Sequence, residues 1–418
     1  MNTERLFALI DEHRDELFAL LSSMVKINSE GFTTHGNEEA MARYVDTLCR
    51  ELGLESDLYS PLDLPGFKDH PDYFGDRHLE NRYNVTARWR GAEDIDELLL
   101  MGHSDTVKIG DLANWDGDPL SGAIKDGKIY GRGACDDKYA LATALFLIKL
   151  LKAEGFTPKR NLIFSAYSDE EYGGSHGALA SVLRTPCNRI LNMDGRVDTI
   201  WNCASGGGEI YYRCHTEKTA DSAKIPALAI PVIIEVLEEF AENRRRELEV
   251  NPYYAGTDIP ASSLRYMAAR AGNYGADLGT AEVLFVFYTD KTKEEIYREL
   301  DGLAAKIAER LAPFGIVGDG FSPRTRFFHY VECDQSAEDI RLLQEAGKET
   351  GRTISLAGPC LSDLSVIAKY GGAQAIAYGV GSDFSQPGGP HQPNECIDCE
   401  DFVAFTKTIG SYILKVLG

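Results

Sequence analysis

Residues 97–107 read ELLLMGHSDTV, and the change of character inside this stretch decides the fold. Glu97 to Met101 is an apolar run without alternation, the pattern of a strand buried on both faces. Directly after it stand His103 and Asp105, and a spacing of two in extended chain sets both side chains on one face. Asn84–Trp89, Asn161–Tyr167 and Arg189–Met193 read as further strands. A helix is expected from about Asp137 to Glu154, with Leu141, Ala144, Leu145, Ile148 and Leu151 forming its apolar face. Buried strands that alternate with helices predict an α/β fold with a mainly parallel sheet flanked by helices.

Outward from this core, Leu6, Leu9, Ile10, Leu17, Leu20, Leu21 and Met24 predict one amphipathic helix that ends near Asn28. Residues 59 to 81 are rich in Pro, Gly, Asp and aromatics, and read as a long surface loop. After Gly206, Gly207 and Gly208 the order changes. A strand (Ile210–Cys214), a helix (Pro231 to about Glu249) and a strand pair ending in Glu282–Tyr288 come first. A helix through Ile296, Leu300, Leu303, Ile307 and Leu311 and a strand at Arg326–Val331 complete a two-layer α+β unit. The α/β pattern resumes with a helix at Ala337, a strand at Ala375–Tyr378, a Gly/Pro-rich loop over Gly379–Pro393 and a last helix from Glu400. The expected organisation is one domain in two parts, 1–204 and 333–418, interrupted by an insertion at 205–332.

The chain has 418 residues, 44% of them hydrophobic, enough for a large core. Its formal charge is -22, from 43 Lys+Arg against 65 Asp+Glu. Long-range repulsion therefore argues against nucleic acid or an anionic membrane surface as partner. The opening residues lack the basic head and apolar core of a secretory signal, and no segment is apolar enough to span a bilayer. Nine scattered cysteines suit reduced thiols, so a cytoplasmic location is expected and the Asn84-Val-Thr86 sequon reads as a chance match. Cys396 and Cys399 form a CxxC without a second pair and read as packing residues.

Most of the chemistry-bearing residues follow predicted strands. Gly131-Arg-Gly-Ala-Cys-Asp136 precedes the helix at 137, so Asp136 stands where an N-cap acceptor would, with a second oxygen free to bridge two cations. Ser168-Asp-Glu-Glu171 follows the strand Asn161–Tyr167; one Glu can ligate a metal while its neighbour, desolvated beside like charges, serves as a general base. Asp194 ends another strand, and His391 lies in the loop before the last helix. His103, Asp136, Glu171, Asp194 and His391 together make a set of metal donors. Open α/β sheets bind ligands beyond the carboxyl ends of their strands, where these segments converge. Asp105 is read as the carboxylate that fixes the tautomer of His103.

In the order and spacing of Gly102-His-Ser-Asp-Thr-Val107, Trp115–Lys138, Ser168–Gly174 and His391–Glu395, the chain resembles the dinuclear zinc hydrolases. That family includes aminoacylase, glutamate carboxypeptidase, peptidase T, carnosine-type dipeptidases and succinyl-diaminopimelate desuccinylase. The resemblance implies two zinc ions, with cobalt or manganese as substitutes. His103 and Asp194 would hold one ion, Glu171 and His391 the other, and Asp136 would bridge them. It implies Glu170 as general base, Asp105 behind His103, an inserted lid of ferredoxin-like topology and a homodimer through that lid. The activity implied is hydrolysis of an amide or peptide bond in a small substrate, a dipeptide or an N-acyl amino acid.

Two departures bear on the substrate. Tyr139 replaces the glycine that follows Asp-Asp-Lys in the dipeptidase branch, and a ring there is expected to narrow the cleft. The lid strand Val283–Tyr288 lacks the carboxylate-binding Arg of many relatives, leaving Arg265 and Arg270 as substitutes and His215 as the candidate for a lid His that reaches the site. These departures motivate a second reading, a catalytically idle homologue that binds metal or a small ligand. A single-chain aminopeptidase of the other dinuclear zinc fold shares the ligand chemistry but accounts less well for the large insertion and the Gly-Arg-Gly segment.

Overall fold

A computed structural model describes residues 1–216, 225–272, 279–372 and 374–418. The chain divides into two compact units, one of Met1–Asn202, Glu332–Ala357 and Val366–Gly418, the other of Cys203–Val331 and Gly358–Ser365. The short piece Gly358–Ser365 thus packs with the second unit, although it lies beyond the range read as the insertion. Its Pro359 and Cys360 pair in parallel with Cys203 and Ala204.

The first unit is built on a six-stranded sheet. Its strands are β1 (Glu55–Tyr59), β2 (Asn84–Trp89), β3 (Asp96–His103), β4 (Asn161–Tyr167), β5 (Arg189–Asn192) and β6 (Gln374–Ala377). They lie in the order β1-β2-β4-β3-β5-β6. The pairs β4/β3, β3/β5 and β5/β6 are parallel, while β1/β2 and β2/β4 are antiparallel. Both faces are covered, which is why β3 and β4 read as unbroken apolar runs. Leu98, Leu100, Leu162 and Phe164 share a core with Phe146 and Leu147 of helix Lys138–Ala153 and Phe402 and Phe405 of helix Cys399–Leu417. Ser165 points the other way, its hydroxyl 2.8 Å from that of Ser181 in helix His176–Arg184.

The second unit follows the order strand Gly206–Thr216, helix Ile225–Val250, strands Leu264–Gly272 and Thr280–Thr289, helix Lys293–Leu311, strand Ile316–Pro323. Within this four-stranded sheet the pairings are antiparallel, with Gly206–Thr216 and Thr280–Thr289 in the centre. This is the ferredoxin-like βαββαβ arrangement. The helices bury Ile233, Leu237, Phe240, Ile296, Leu300 and Ile307 against Val283, Phe285 and Phe287 of the sheet.

Three local expectations are corrected. The opening helix is two, Thr3–Glu12 and Arg14–Val25, broken at His13, whose N–H caps Leu9. The helix expected from Pro231 begins at Ile225, so Pro231 lies inside it; burial of Ala229, Ile233 and Leu237 along one face outweighs the local cost of proline. The last strand of the second unit is Ile316–Pro323 rather than Arg326–Val331. A Cβ on Gly318 would sit 2.4 Å from the Tyr212 hydroxyl and Gly320 takes φ 88°, at the irregularity where Arg213 pairs with Gly320 and Cys214 with Gly318. Helix Glu39–Glu51, whose Met41, Val45 and Cys49 recur at helical spacing, and strand β1 were not among the elements expected. Among the described residues no helix is long and apolar enough to cross a membrane.

Candidate metal centre

The parallel strands β3, β4 and β5 end at one rim of the first unit, and the sequence-selected residues sit there. β3 ends at His103, fully buried. Its Nδ1 lies 3.0 Å from the backbone carbonyl of Asp105 and 3.7 Å from the Asp105 carboxylate. A carbonyl can only accept, so Nδ1 carries a proton, which leaves Nε2 as the nitrogen that could face a metal. That Nε2 is 2.9 Å from Asp136 Oδ1. On the other side His391 Nε2 lies 3.1 Å from Asp136 Oδ2 and 2.7 Å from Glu171 Oε2. One carboxylate therefore presents a different oxygen to each of two imidazoles. Donor atoms of His103, Asp136 and Glu171 all fall within 4.8 Å of one another.

The electrostatics are those of a site short of positive charge. Burial and the neighbouring Asp136 push Glu171 up to about 7 and Asp194, at the end of β5, up to about 6. Burial alone would lower both imidazoles, yet contacts with Asp105 and Asp136 raise His103, and Glu171 and Asp136 raise His391. Burial would likewise raise Asp136, but hydrogen bonds from His103 and His391 hold it well below the carboxylate range. With the imidazoles neutral, as metal ligands must be, acceptor atoms crowd on acceptor atoms in low dielectric and a shared cation stabilises them; this nitrogen and oxygen donor set suits zinc, cobalt or manganese.

Asp105 does more than was expected of it, and by another route. Its backbone carbonyl, not its carboxylate, makes the shorter contact with His103. The carboxylate instead accepts the backbone N–H groups of Glu170 at 3.1 Å and Glu171 at 3.2 Å. It thereby fixes the turn that carries both glutamates. Glu171 Oε1 also accepts the Val107 N–H at 3.0 Å, and Glu170 lies close enough to His103 for its charge to act on the imidazole.

Asp136 is not the N-cap of the following helix. Asp137 holds that position without capping, and its Oδ2 accepts the His103 N–H at 3.1 Å. The sequence reading also missed Glu395, which is buried and gathers the Gly-Arg-Gly turn. Its Oε1 accepts the N–H groups of Gly133 and Cys135 at 3.0 Å each, and its Oε2 pairs with Arg132 at 2.6 Å. Beneath the glutamate turn lies a buried ionic cluster. Asp169, with φ 66°, accepts from Arg77 Nε at 3.0 Å and His176 Nδ1 at 2.7 Å, and lies 3.2 Å from Arg82, which also pairs with Glu38. A left-handed non-glycine residue here is sustained by those partners. The charged residues of 77–82 could have flagged this cluster only if their partners in space were known.

Tyr139 does not line a cleft. It is 1% exposed, packs edge-on to Phe405 and hydrogen-bonds to backbone, so it gives no support to an idle site. In the second unit Arg265 donates to the Tyr288 hydroxyl at 2.8 Å, Arg270 lies 3.9 Å from Glu282, and His215 Nδ1 is 2.7 Å from Asp319. Cys396 and Cys399 are free thiols.

Residues 99–415 match the model of peptidase family M20/M25/M40. The chain belongs to this family. M20 chains are metal-dependent hydrolases of amide and peptide bonds, and the resemblance drawn from the four motifs holds. A metallohydrolase of Methanocaldococcus jannaschii is 32% identical over 93% of this chain and 96% of its own. The N-formyl-4-amino-5-aminomethyl-2-methylpyrimidine deformylase of Halalkalibacterium halodurans is 23% identical over 99% of this chain and 97% of its own. Among solved structures, the dipeptidase Dug1p of Saccharomyces cerevisiae superposes with a TM-score of 0.75 at 15% identity, covering 99% of this chain and 98% of its own. The fold of this solved structure is thus shared by this chain, whose two units are the α/β unit and the inserted α+β unit described.

Proposed function

We propose that this M20 chain cuts the amide or peptide bond of a small substrate, a dipeptide or an N-acyl amino acid, at two zinc ions. His103 and Asp194 would hold one ion, Glu171 and His391 the other, with Asp136 between them. The observation that carries this reading is the approach of two imidazole Nε2 atoms, 2.9 and 3.1 Å away, to opposite oxygens of Asp136. Zinc, when bound, supplies Lewis acidity that polarises a carbonyl and lowers the proton affinity of water. Glu170 takes a proton from the attacking water and delivers it to the leaving nitrogen. Asp105 holds the Glu170 backbone, so the base and the adjacent Glu171 keep a fixed relation. Arg77, Arg82 and His176 hold Asp169 on the same turn. The named activities of the deformylase and the dipeptidase both break a carbon–nitrogen bond beside a carbonyl, and this supports the bond type rather than the substrate.

The test is a hydrolysis screen of N-acyl amino acids against dipeptides, with zinc-loaded wild type and Glu170→Gln. The variant should keep its zinc and lose at least roughly a hundredfold in rate on whichever class is cut. Turnover equal to wild type would remove Glu170 from the role of base.

A further inference from the structure

Tyr139 is the second residue of the helix Lys138–Ala153, and its hydroxyl is placed where two backbone segments meet. It donates to the Met193 carbonyl at 2.6 Å and accepts the Val380 N–H at 3.2 Å. The Met193 carbonyl belongs to the peptide unit that leads into Asp194, so the phenol fixes the plane from which the Asp194 side chain departs. The regular pairing of this edge ends just before that carbonyl, with Met193 N–H to Met101 O at 2.7 Å and Tyr378 N–H to Asn192 O at 3.0 Å. Beyond it Gly381 N–H donates to Gly195 O at 2.8 Å.

The surroundings are shaped for this hydroxyl. A Cβ on Gly379 would lie 2.1 Å from the Tyr139 oxygen and 2.5 Å from the Gly195 carbonyl, and a Cβ on Gly195 would lie 2.7 Å from the Gly379 nitrogen. Two glycines thus let the segments after β5 and β6 close around one phenol. The ring is held by Phe405, at a centroid distance of 5.3 Å.

We infer that Tyr139 is a positioning residue for Asp194, setting that carboxylate for metal through the Met193 carbonyl and tying it to the 379–381 segment. The inference rests on the metal reading proposed above. Partners that orient a ligand from behind change metal affinity by roughly 10–100-fold when removed. Tyr139→Phe deletes both hydrogen bonds and keeps the ring.

The experiment is calorimetric zinc titration of metal-stripped wild type, Tyr139→Phe and Asp194→Asn, with melting of the metal-free proteins measured alongside. Wild type should take up two zinc ions and Asp194→Asn one. Tyr139→Phe should take up two, the one that depends on Asp194 about 10–100-fold more weakly and the other within about twofold of wild type. If both affinities match wild type while Asp194→Asn loses a site, Tyr139 is structural only and the inference falls alone. If wild type binds fewer than two ions, or Asp194→Asn still binds two, the metal reading itself fails. Should Tyr139→Phe not fold, 3-fluorotyrosine at 139 keeps the shape and strengthens the donor. A change confined to the Asp194-dependent zinc affinity then supports the inference, and no change overturns it.

Discussion

Replacing Asp105 by Asn is the sharpest test of how the glutamate turn is held. The fully buried carboxylate accepts the N–H groups of Glu170 and Glu171 at 3.1 and 3.2 Å. Asn keeps one carbonyl oxygen and turns an NH2 group toward the other N–H, so one donor loses its acceptor and no water can replace it. A hydrogen bond to a charged group contributes about 1.5–3 kcal/mol, and an orphaned buried donor costs about 1–3 kcal/mol. One term works the other way: the Asp105 charge adds to the burial that raises Glu38, and neutralising it relieves that repulsion. The net loss of stability should therefore sit toward the lower end, about 2 kcal/mol. The loss in rate should be larger than that figure suggests. A shift of about 1 Å in a reacting group costs on the order of a hundredfold, and Glu170 and Glu171 move together. The assay is kcat/KM of the zinc-loaded variant on the best amide found in the screen, with zinc affinity by chelator competition and the urea midpoint as companions. A variant within about threefold of wild type in kcat/KM and zinc affinity would refute the claim that Asp105 holds the turn.

Other outcomes follow from the same geometry. Glu171 and Asp194 are raised to about 7 and about 6, so zinc must displace protons that an ordinary carboxylate would already have lost. Zinc affinity should climb with pH through that range, falling at least about tenfold between pH ~7.5 and ~5.5, and calorimetry in buffers of different ionisation enthalpy should detect proton release; a pH-independent affinity would contradict the burial of these carboxylates. Asp169→Asn leaves Arg77 and Arg82 with a missing counter-charge in the interior and should cost about 3–5 kcal/mol in denaturant unfolding. Burial would raise the Asp169 carboxyl, but Arg77 and Arg82 hold it below its ordinary range, so its stabilising contribution is present above that range and is lost only as pH falls beneath it. Gly379→Ala should destabilise the first unit by at least about 1–3 kcal/mol, because its Cβ meets backbone as well as the Tyr139 oxygen; an unchanged melting temperature would mean the two segments are not closed around that phenol.

The strands that bear the site were legible because they are covered on both faces. β4 has the bounds that its apolar run predicts, β2 has the bounds read from Asn84 to Trp89, and β3 differs by a residue or two at each end. Strand β1 was not legible, since its burial depends on the sheet it joins, whereas helix Glu39–Glu51 carries Met41, Val45 and Cys49 at helical spacing and was legible but passed over. Pro231 misled because local preference was overridden by the face that Ala229, Ile233 and Leu237 bury.

By itself the sequence determined the α/β framework, the inserted α+β unit, and the residue types that follow each strand, because periodicity and strand-end chemistry are local properties. Only the tertiary structure decided what those residues do to one another. It gave the Asp105 carboxylate two backbone N–H groups besides the His103 ring 3.7 Å away, and it put Asp137 rather than Asp136 at the helix start, leaving both Asp136 oxygens for imidazoles. It also buried Tyr139 as a strut behind Asp194. Each of these depends on distances between segments far apart in the chain, and a hydrogen bond is decided by a few tenths of an ångström that no spacing in sequence encodes.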